Sequence, residues 1–328
     1  MREINRAVIP AKYVQSLCWQ GDELVDWAGG GIRYWMDGTA TSRLVSYGYR
    51  FDRAVSSSQG QFSIIYEVLG TKGLVLKDGK IIREINRSFY CADAYEYPVA
   101  FLRLPSGRDV LVHCPEEYNK LEIEDVETGE RLTLRSGESA DFFHSRLQAS
   151  PDGQYLLSAG WIWHPIDDLR VYDVAEVMRH PARLDAELDW EFTQRSEITN
   201  AAFAADSILM TTGHLGARKE SQETTAMGDD QIGHYSLREK RFLTIAPLKE
   251  PLGTLMPVGN FAVGFYEHPK LVEVATGEIV TRWPELETGN QNSSIGRDLD
   301  KMPPLALDPA NKRFAVADAE KITVIQLG

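Results

Sequence analysis

Apolar residues in this chain come in short runs of strand length, and a tight-turn signal introduces each run. Gln20-Gly21-Asp22, Gln59-Gly60-Gln61, Pro105-Ser106-Gly107-Arg108, Pro151-Asp152-Gly153, Ala205-Asp206-Ser207, Val258-Gly259-Asn260 and Asp308-Pro309-Ala310-Asn311 carry residues that tolerate or pre-set turn dihedrals. The runs that follow are ELVDWA, FSIIYEV, DVLVHC, QYLLSAG, SILMTTG, FAVGFY and KRFAVAD. Their β-branched, aromatic and aliphatic content predicts buried strands. A second turn follows in most units, at Met36-Asp37-Gly38, Lys77-Asp78-Gly79-Lys80, Glu127-Thr128-Gly129-Glu130, Arg238-Glu239-Lys240 and Ala275-Thr276-Gly277-Glu278. Asp-Gly or Thr-Gly between alternating apolar residues is a hairpin signal.

The repeating unit is therefore four strands, a to d, with a tight a-to-b turn, a b-to-c loop and a tight c-to-d turn. A four-stranded unit of roughly 40 to 45 residues is the repeat of a propeller blade. Seven units fit: Tyr13 to Gly48, Tyr49 to Arg87, Ser88 to Arg135, Ser136 to Gln194, Arg195 to Leu248, Lys249 to Pro284, and a seventh from Met302 to Gly328. The seventh, MPPLALDPANKRFAVADAEKITVIQLG, supplies strands a, b and c and then stops. At the other end EINRAVIP is a strand ahead of the first complete unit. Placed as strand d of the last blade, it closes the ring and removes two unpaired edges. The predicted fold is an all-β, seven-bladed β-propeller, one domain over residues 1–328, closed by its N-terminal strand.

Composition narrows the functional classes. The chain has 328 residues, 43 % of them hydrophobic and 25 % charged, and a net charge of −13. An acidic field opposes binding to nucleic acid and to anionic membrane surfaces. The cysteines, Cys18, Cys91 and Cys114, are far apart with no CxxC spacing, which fits small core residues in a reducing compartment. The N-terminus MREINRAVIPAKY has no apolar leader pattern, and no run approaches eighteen apolar residues, so a cytoplasmic protein is expected.

Blade four reads HSRLQASPDGQYLLSAGWIWHPIDDLRVYDV. His144, the Ser150-Pro151-Asp152-Gly153 turn, Ser158, Asp168 and the Tyr172-Asp173 pair resemble a repeat of the WD-repeat family, with Tyr172 where that family usually has Trp. The resemblance covers this blade well and the others only in turn spacing and strand pattern. It implies that His144, Ser158 and Asp168 tie strands together by hydrogen bonds, which is a structural role. Asp173 also stands where it would cap a short helix over Val174 to Arg179, ended by Pro181.

No catalytic signature is present: neither a GxSxG elbow, nor an HExxH helix, nor a phosphate loop. His164, His214 and His268 fall in b-to-c loops of one face, but no ligand spacing supports a metal site, and no cofactor is expected. The pairs Glu116-Glu117, Asp167-Asp168 and Asp229-Asp230 read as solvated loop acids.

The two faces of the ring differ. The d-to-a and b-to-c loops share one face and carry the long insertions, GHLGARKESQETTAMGDDQ from Gly213 and ELETGNQNSSIGRDLDKMP from Glu285, both polar and expected to be mobile. The link SFYCADAYEYP on the same face is aromatic and acidic. Arg50, Asp52, Arg53, Tyr95, Tyr97, Phe143, Trp163, Arg218 and Arg297 are the candidate partner-binding residues there, since aromatic and arginine side chains are favoured anchors. Phe142 and Trp161 compete for a second role, packing between blades. These features point to a non-enzymatic scaffold for a protein or peptide partner. The alternative is a hydrolase or lyase acting on a small polar ligand at the mouth of the central channel.

Overall fold

The computed structural model describes residues 1–163, 165–186, 196–214, 227–296 and 298–328. β1 (Glu3–Pro10) comes first and is followed by seven small antiparallel sheets in chain order. The first holds β2 (Cys18–Gln20), β3 (Glu23–Asp26) and β4 (Ile32–Tyr34). The second holds β5 (Arg53–Ser56), β6 (Phe62–Tyr66), β7 (Lys72–Lys77) and β8 (Lys80–Asn86). The third is β9 (Val99–Arg103), β10 (Asp109–His113) and β11 (Glu122–Asp125). The fourth is β12 (Leu147–Ala149), β13 (Tyr155–Ile162) and β14 (Ile166–Asp173), followed by the helix α1 (Val174–Arg179). The fifth has β15 (Ile198–Ala204), β16 (Ser207–Thr212), β17 (Gln231–Ser236) and β18 (Arg241–Pro247). The sixth has β19 (Leu255–Val258), β20 (Phe261–Gly264), β21 (Lys270–Glu273) and β22 (Ile279–Arg282). The last, β23 (Leu305–Asp308), β24 (Arg313–Ala317) and β25 (Lys321–Leu327), is completed by β1.

Burial within each sheet follows from its place in a ring. The second strands β6, β10, β16 and β24 are buried at every residue, because a neighbouring sheet covers each of their faces. This is why their sequences are continuous apolar runs instead of alternating ones. The outer strands β8 and β1 are mostly exposed, β18 and β22 are exposed at about half of their positions, and all four carry charged residues. Seven apolar clusters fill the seven gaps between successive sheets. One of them joins the last sheet to the first through Ile9, Ala306, Ala315 and Ile322 on one side and Leu17, Leu24 and Tyr34 on the other. The molecule is thus a closed seven-bladed β-propeller.

Closure uses the N-terminal strand. β1 pairs antiparallel with β25 from Glu3 opposite Leu327 to Pro10 opposite Lys321. Arg2 and Gly328 exchange both backbone hydrogen bonds at 3.0 Å. Glu3 also accepts from the Trp283 indole at 2.6 Å, which fastens the strand to the preceding blade. At the end of β14 the Asp173 carboxylate accepts from Glu176 N at 2.9 Å and starts α1, and Pro181 lies just beyond its C-terminus.

Candidate functional site

The loop-rich face carries three linked features: a strap across the ring, an aromatic platform beside it, and the mouth of the central channel beneath. The strap is the link from the sixth blade to the seventh. Glu267 bridges Gly289 at the sixth blade, and Asn292 Oδ1 accepts from Asn200 Nδ2 of the fifth at 3.1 Å. Ser294 N donates to Asp167 Oδ1 at 2.8 Å, and its hydroxyl donates to the same oxygen and, at 3.1 Å, to Gly160 O, both in the fourth blade. Ile295 bridges Tyr95, Gly296 N donates to Ala94 O at 2.9 Å, and Leu299 O accepts from Arg53 in the second blade. A segment expected to be mobile is therefore tied to five blades, because its polar side chains find partners on the ring in place of water. Asp167, read from sequence as a solvated acid, is 2 % exposed and is the strap's anchor, and burial raises its pKa from the ordinary value.

The platform is built on Phe143, a fully buried ring bridged by backbone to Trp161. Trp161 stacks on it at 3.6 Å between centroids and Tyr118 at 4.1 Å. Tyr90 lies 5.9 Å from Phe143 and 5.1 Å from Tyr118, and Trp163 lies 6.0 Å from Trp161. The base is interior, but Tyr90 is 50 % exposed, Trp163 52 % and Phe89 86 %. Gly160 lets the layers approach: a Cβ there would sit 1.9 Å from Phe143 O. The Tyr118 hydroxyl donates to Asp141 at 2.8 Å, and burial together with that carboxylate pushes its pKa up to about 12. Asp141 is exposed beside Tyr118, and Glu117 and Asp93, in the chain segments that carry Tyr118 and Tyr90, are exposed as well.

The loop that presents Phe89 and Tyr90 is held by a buried cation. Arg87, 4 % exposed, donates to Gly70 O at 2.7 Å, Ala92 O at 2.6 Å and Tyr95 O at 3.1 Å. Its guanidinium lies over the rings of Tyr95 at 4.6 Å and Tyr97 at 5.0 Å. A planar fork with five donors suits this role, since it can satisfy several loop carbonyls at once.

The candidate residues divide by burial. Tyr95 and Tyr97 are each 1 % exposed and Phe143 is 0 %, so they support the face from inside and present nothing to a partner. Trp161, 4 % exposed, belongs to the same cluster. Trp163 is exposed within the platform. Arg53 lines the channel mouth, and Arg50 lies apart from it beside Tyr49 and Gly48. Asp52 is buried and accepts from Val68 N at 2.9 Å, which makes it a turn clamp. Arg218, Arg297 and His164 lie outside the described residues. His214 Nδ1 faces Asp229 at 3.1 Å. No group of three or more metal-ligating side chains occurs among the described residues.

In the fourth blade His144 Nδ1 meets Ser158 Oγ at 3.1 Å, and Ser158 Oγ also reaches Ser145 O at 3.4 Å. The His144 ring lies edge-on to Phe142 at 4.9 Å and 6.3 Å from Tyr172. Asp168 accepts from Leu169 N at 2.8 Å. Burial lowers the pKa of His144 to about 3, with Arg170 and Arg135 adding to the effect, so the ring is neutral.

Nothing in the local sequence marks Arg87, Tyr118 or Arg146 as part of this face. Within the aromatic link SFYCADAYEYP, Phe89 and Tyr90 face outward and Tyr95 and Tyr97 inward.

The fold and this face define a seven-bladed β-propeller with an ordered strap across one mouth. No family model and no curated protein sequence matches the chain. Among solved structures, a chain of Kuenenia stuttgartiensis hydrazine synthase is similar at a TM-score of 0.61 and 14 % identity, over 96 % of this chain and 95 % of that one. A chain of the mitotic checkpoint complex is similar at a TM-score of 0.58 and 10 % identity, over 99 % of this chain and 91 % of that one. At these identities the likeness is one of fold. No helix among the described residues is long and apolar enough to cross a membrane.

Proposed function

We propose that this propeller is a non-enzymatic cytoplasmic scaffold that docks a basic peptide or protein segment on its loop-rich face. The observation that carries the reading is the platform: exposed Tyr90 and Trp163 beside rigid, stacked and buried rings, with exposed Phe89 next to Tyr90 in the chain. Large aromatic side chains fixed in place lose little entropy on binding, which is what a docking anchor needs. The exposed Asp93, Glu117 and Asp141, and the net charge of −13, favour a partner carrying Arg or Lys. Cations can also lie over the exposed ring faces. The likeness to a chain of the mitotic checkpoint complex, a protein assembly, is in keeping with this use of the fold. The His144–Ser158 contact supports a WD-type fourth blade. The alternative of an enzyme at the channel mouth is less well supported. That mouth presents two arginines, one glutamate and several amides and hydroxyls, a set suited to holding a ligand.

The test is selection of peptides from a display library on the full-length protein, followed by anisotropy titration of the enriched peptide. Trp163→Ala and Tyr90→Ala are expected to weaken binding by about tenfold or more each. Ile81→Ala, on the outer strand β8 and 52 % exposed, is expected to leave it unchanged. Equal affinity in all variants would overturn the assignment of this face.

A further inference from the structure

We propose that the channel mouth beneath the strap is a binding site for a small anion bearing a carboxylate or phosphate group. The cavity there has a volume of about 240 Å³, and inner-edge residues of all seven blades, from Leu17 round to Leu305, form its wall with residues of the strap. This is space for a small molecule, well beyond a single water.

Two buried donors in this wall have no partner within the protein. Arg146 donates through Nε to Ala159 O at 3.1 Å and through Nη1 to Asn200 Oδ1 at 2.8 Å, while its Nη2 is enclosed and unpaired. Gln291 Nε2, contributed by the strap, is also enclosed and unpaired. Buried polar groups nearly always have a partner, so these two donors, both on residues that line one cavity, leave hydrogen-bonding capacity for an acceptor-rich ligand.

Charge points the same way. Arg53 joins Arg146 on the wall, and neither guanidinium forms an ion pair among the described residues. Glu96 is the one carboxylate of the lining; it accepts from the Tyr66 hydroxyl at 3.3 Å and acts electrostatically on Arg146, so two arginines face one carboxylate. Asp167 acts on Arg146 from behind the wall, but its carboxylate is engaged by Ser294. Burial lowers the Arg146 pKa from its ordinary value, a cost that a bound anion would offset. Arg146 also holds a φ of 44°, in the left-handed region that non-glycine residues seldom occupy. Such backbone positions cluster at ligand clamps.

The opening at the opposite face makes a useful contrast. It is larger, about 760 Å³, but its charged groups are engaged: Arg103 and Asp109 satisfy each other at 3.2 Å, and Asp152 accepts from Ser150 Oγ at 2.6 Å and Gln154 N at 3.0 Å. Nothing there calls for a charged ligand.

The experiment is calorimetric titration of the full-length protein, in phosphate-free buffer of low ionic strength, with inorganic phosphate and separately with succinate. At least one probe is expected to bind at one site per chain. The tighter of the two tells whether the natural ligand's group is a phosphate or a carboxylate. Arg146→Gln and Gln291→Met are each expected to weaken that binding by about tenfold. Trp163→Ala is expected to leave it unchanged, which separates this site from the peptide platform. If Arg146→Gln does not fold, Gln291→Met decides alone, because it changes only a strap side chain. Absence of binding by both probes, or binding that Gln291→Met does not weaken, would overturn the proposal.

Discussion

Two isoleucines on β1 offer a controlled test of how the ring closes. Ile9 is 0 % exposed and packs in the cluster that joins the last blade to the first, whereas Ile4, on the same strand, is 59 % exposed. Ile9→Ala removes three carbon groups, worth about 0.8 kcal/mol each in transfer free energy. It also leaves a cavity among Leu24, Tyr34 and Ile322 that the two packed blades collapse only partly to fill. Together these effects cost about 3 to 4 kcal/mol, within the range of large-to-small core substitutions. Unfolding entropy is about 2.1 cal/mol/K per residue, or roughly 0.7 kcal/mol/K for 328 residues, so the midpoint drops by about 5 °C. Ile4→Ala is expected to change stability by less than about 0.5 kcal/mol. Both variants are read by calorimetry and by urea unfolding at equal protein concentration. If Ile9→Ala were as mild as Ile4→Ala, the seventh interface would contribute nothing and the closure described here would be wrong.

Three further outcomes follow from the same packing. His144 is neutral in the folded ring and protonated in the unfolded chain below pH 6.5, so its contribution is intact at pH 7 and is lost as pH falls from 6.5 toward 3, at about 1.4 kcal/mol per pH unit. Unfolding free energies from urea titration at pH 7 and pH 5 should differ by about 2 kcal/mol more in the native protein than in His144→Asn; equal differences would refute the assignment. Arg87→Met strands the carbonyls of Gly70, Ala92 and Tyr95 and should cost about 2 to 4 kcal/mol, with new protease cleavage within Ser88 to Tyr97. An uncleaved loop would show that other contacts hold it. Gly160→Ala drives a Cβ into Phe143 O and should cost about 1 to 3 kcal/mol while altering the near-UV dichroism of the Phe143–Trp161 stack. An unchanged spectrum would contradict the close approach.

The blades were legible because turn chemistry and strand burial are local signals. Asp78-Gly79 and Thr128-Gly129 mark hairpins, and runs such as FSIIY are apolar because neighbouring blades cover both faces. The split seventh blade was legible from the missing d strand at one end and the extra strand at the other. The working face was less so. Tyr90 and Tyr95 stand in one irregular loop, where no periodicity tells an outward ring from an inward one. The strap is polar, and composition does not say whether Asn292 and Ser294 bond to water or to Asn200 and Asp167. Arg87 defied the general rule that charged residues are exposed, because its partners are loop carbonyls rather than a carboxylate visible in sequence.

Hydrogen-exchange footprinting of the selected peptide on the full-length protein tests the central assignment most directly. Protection concentrated in Ser88 to Tyr97, the Glu117 to Lys120 turn and the Gly160 to Trp163 edge is the predicted result. Protection confined to the opposite face, at the Pro105 and Pro151 turns, would contradict it.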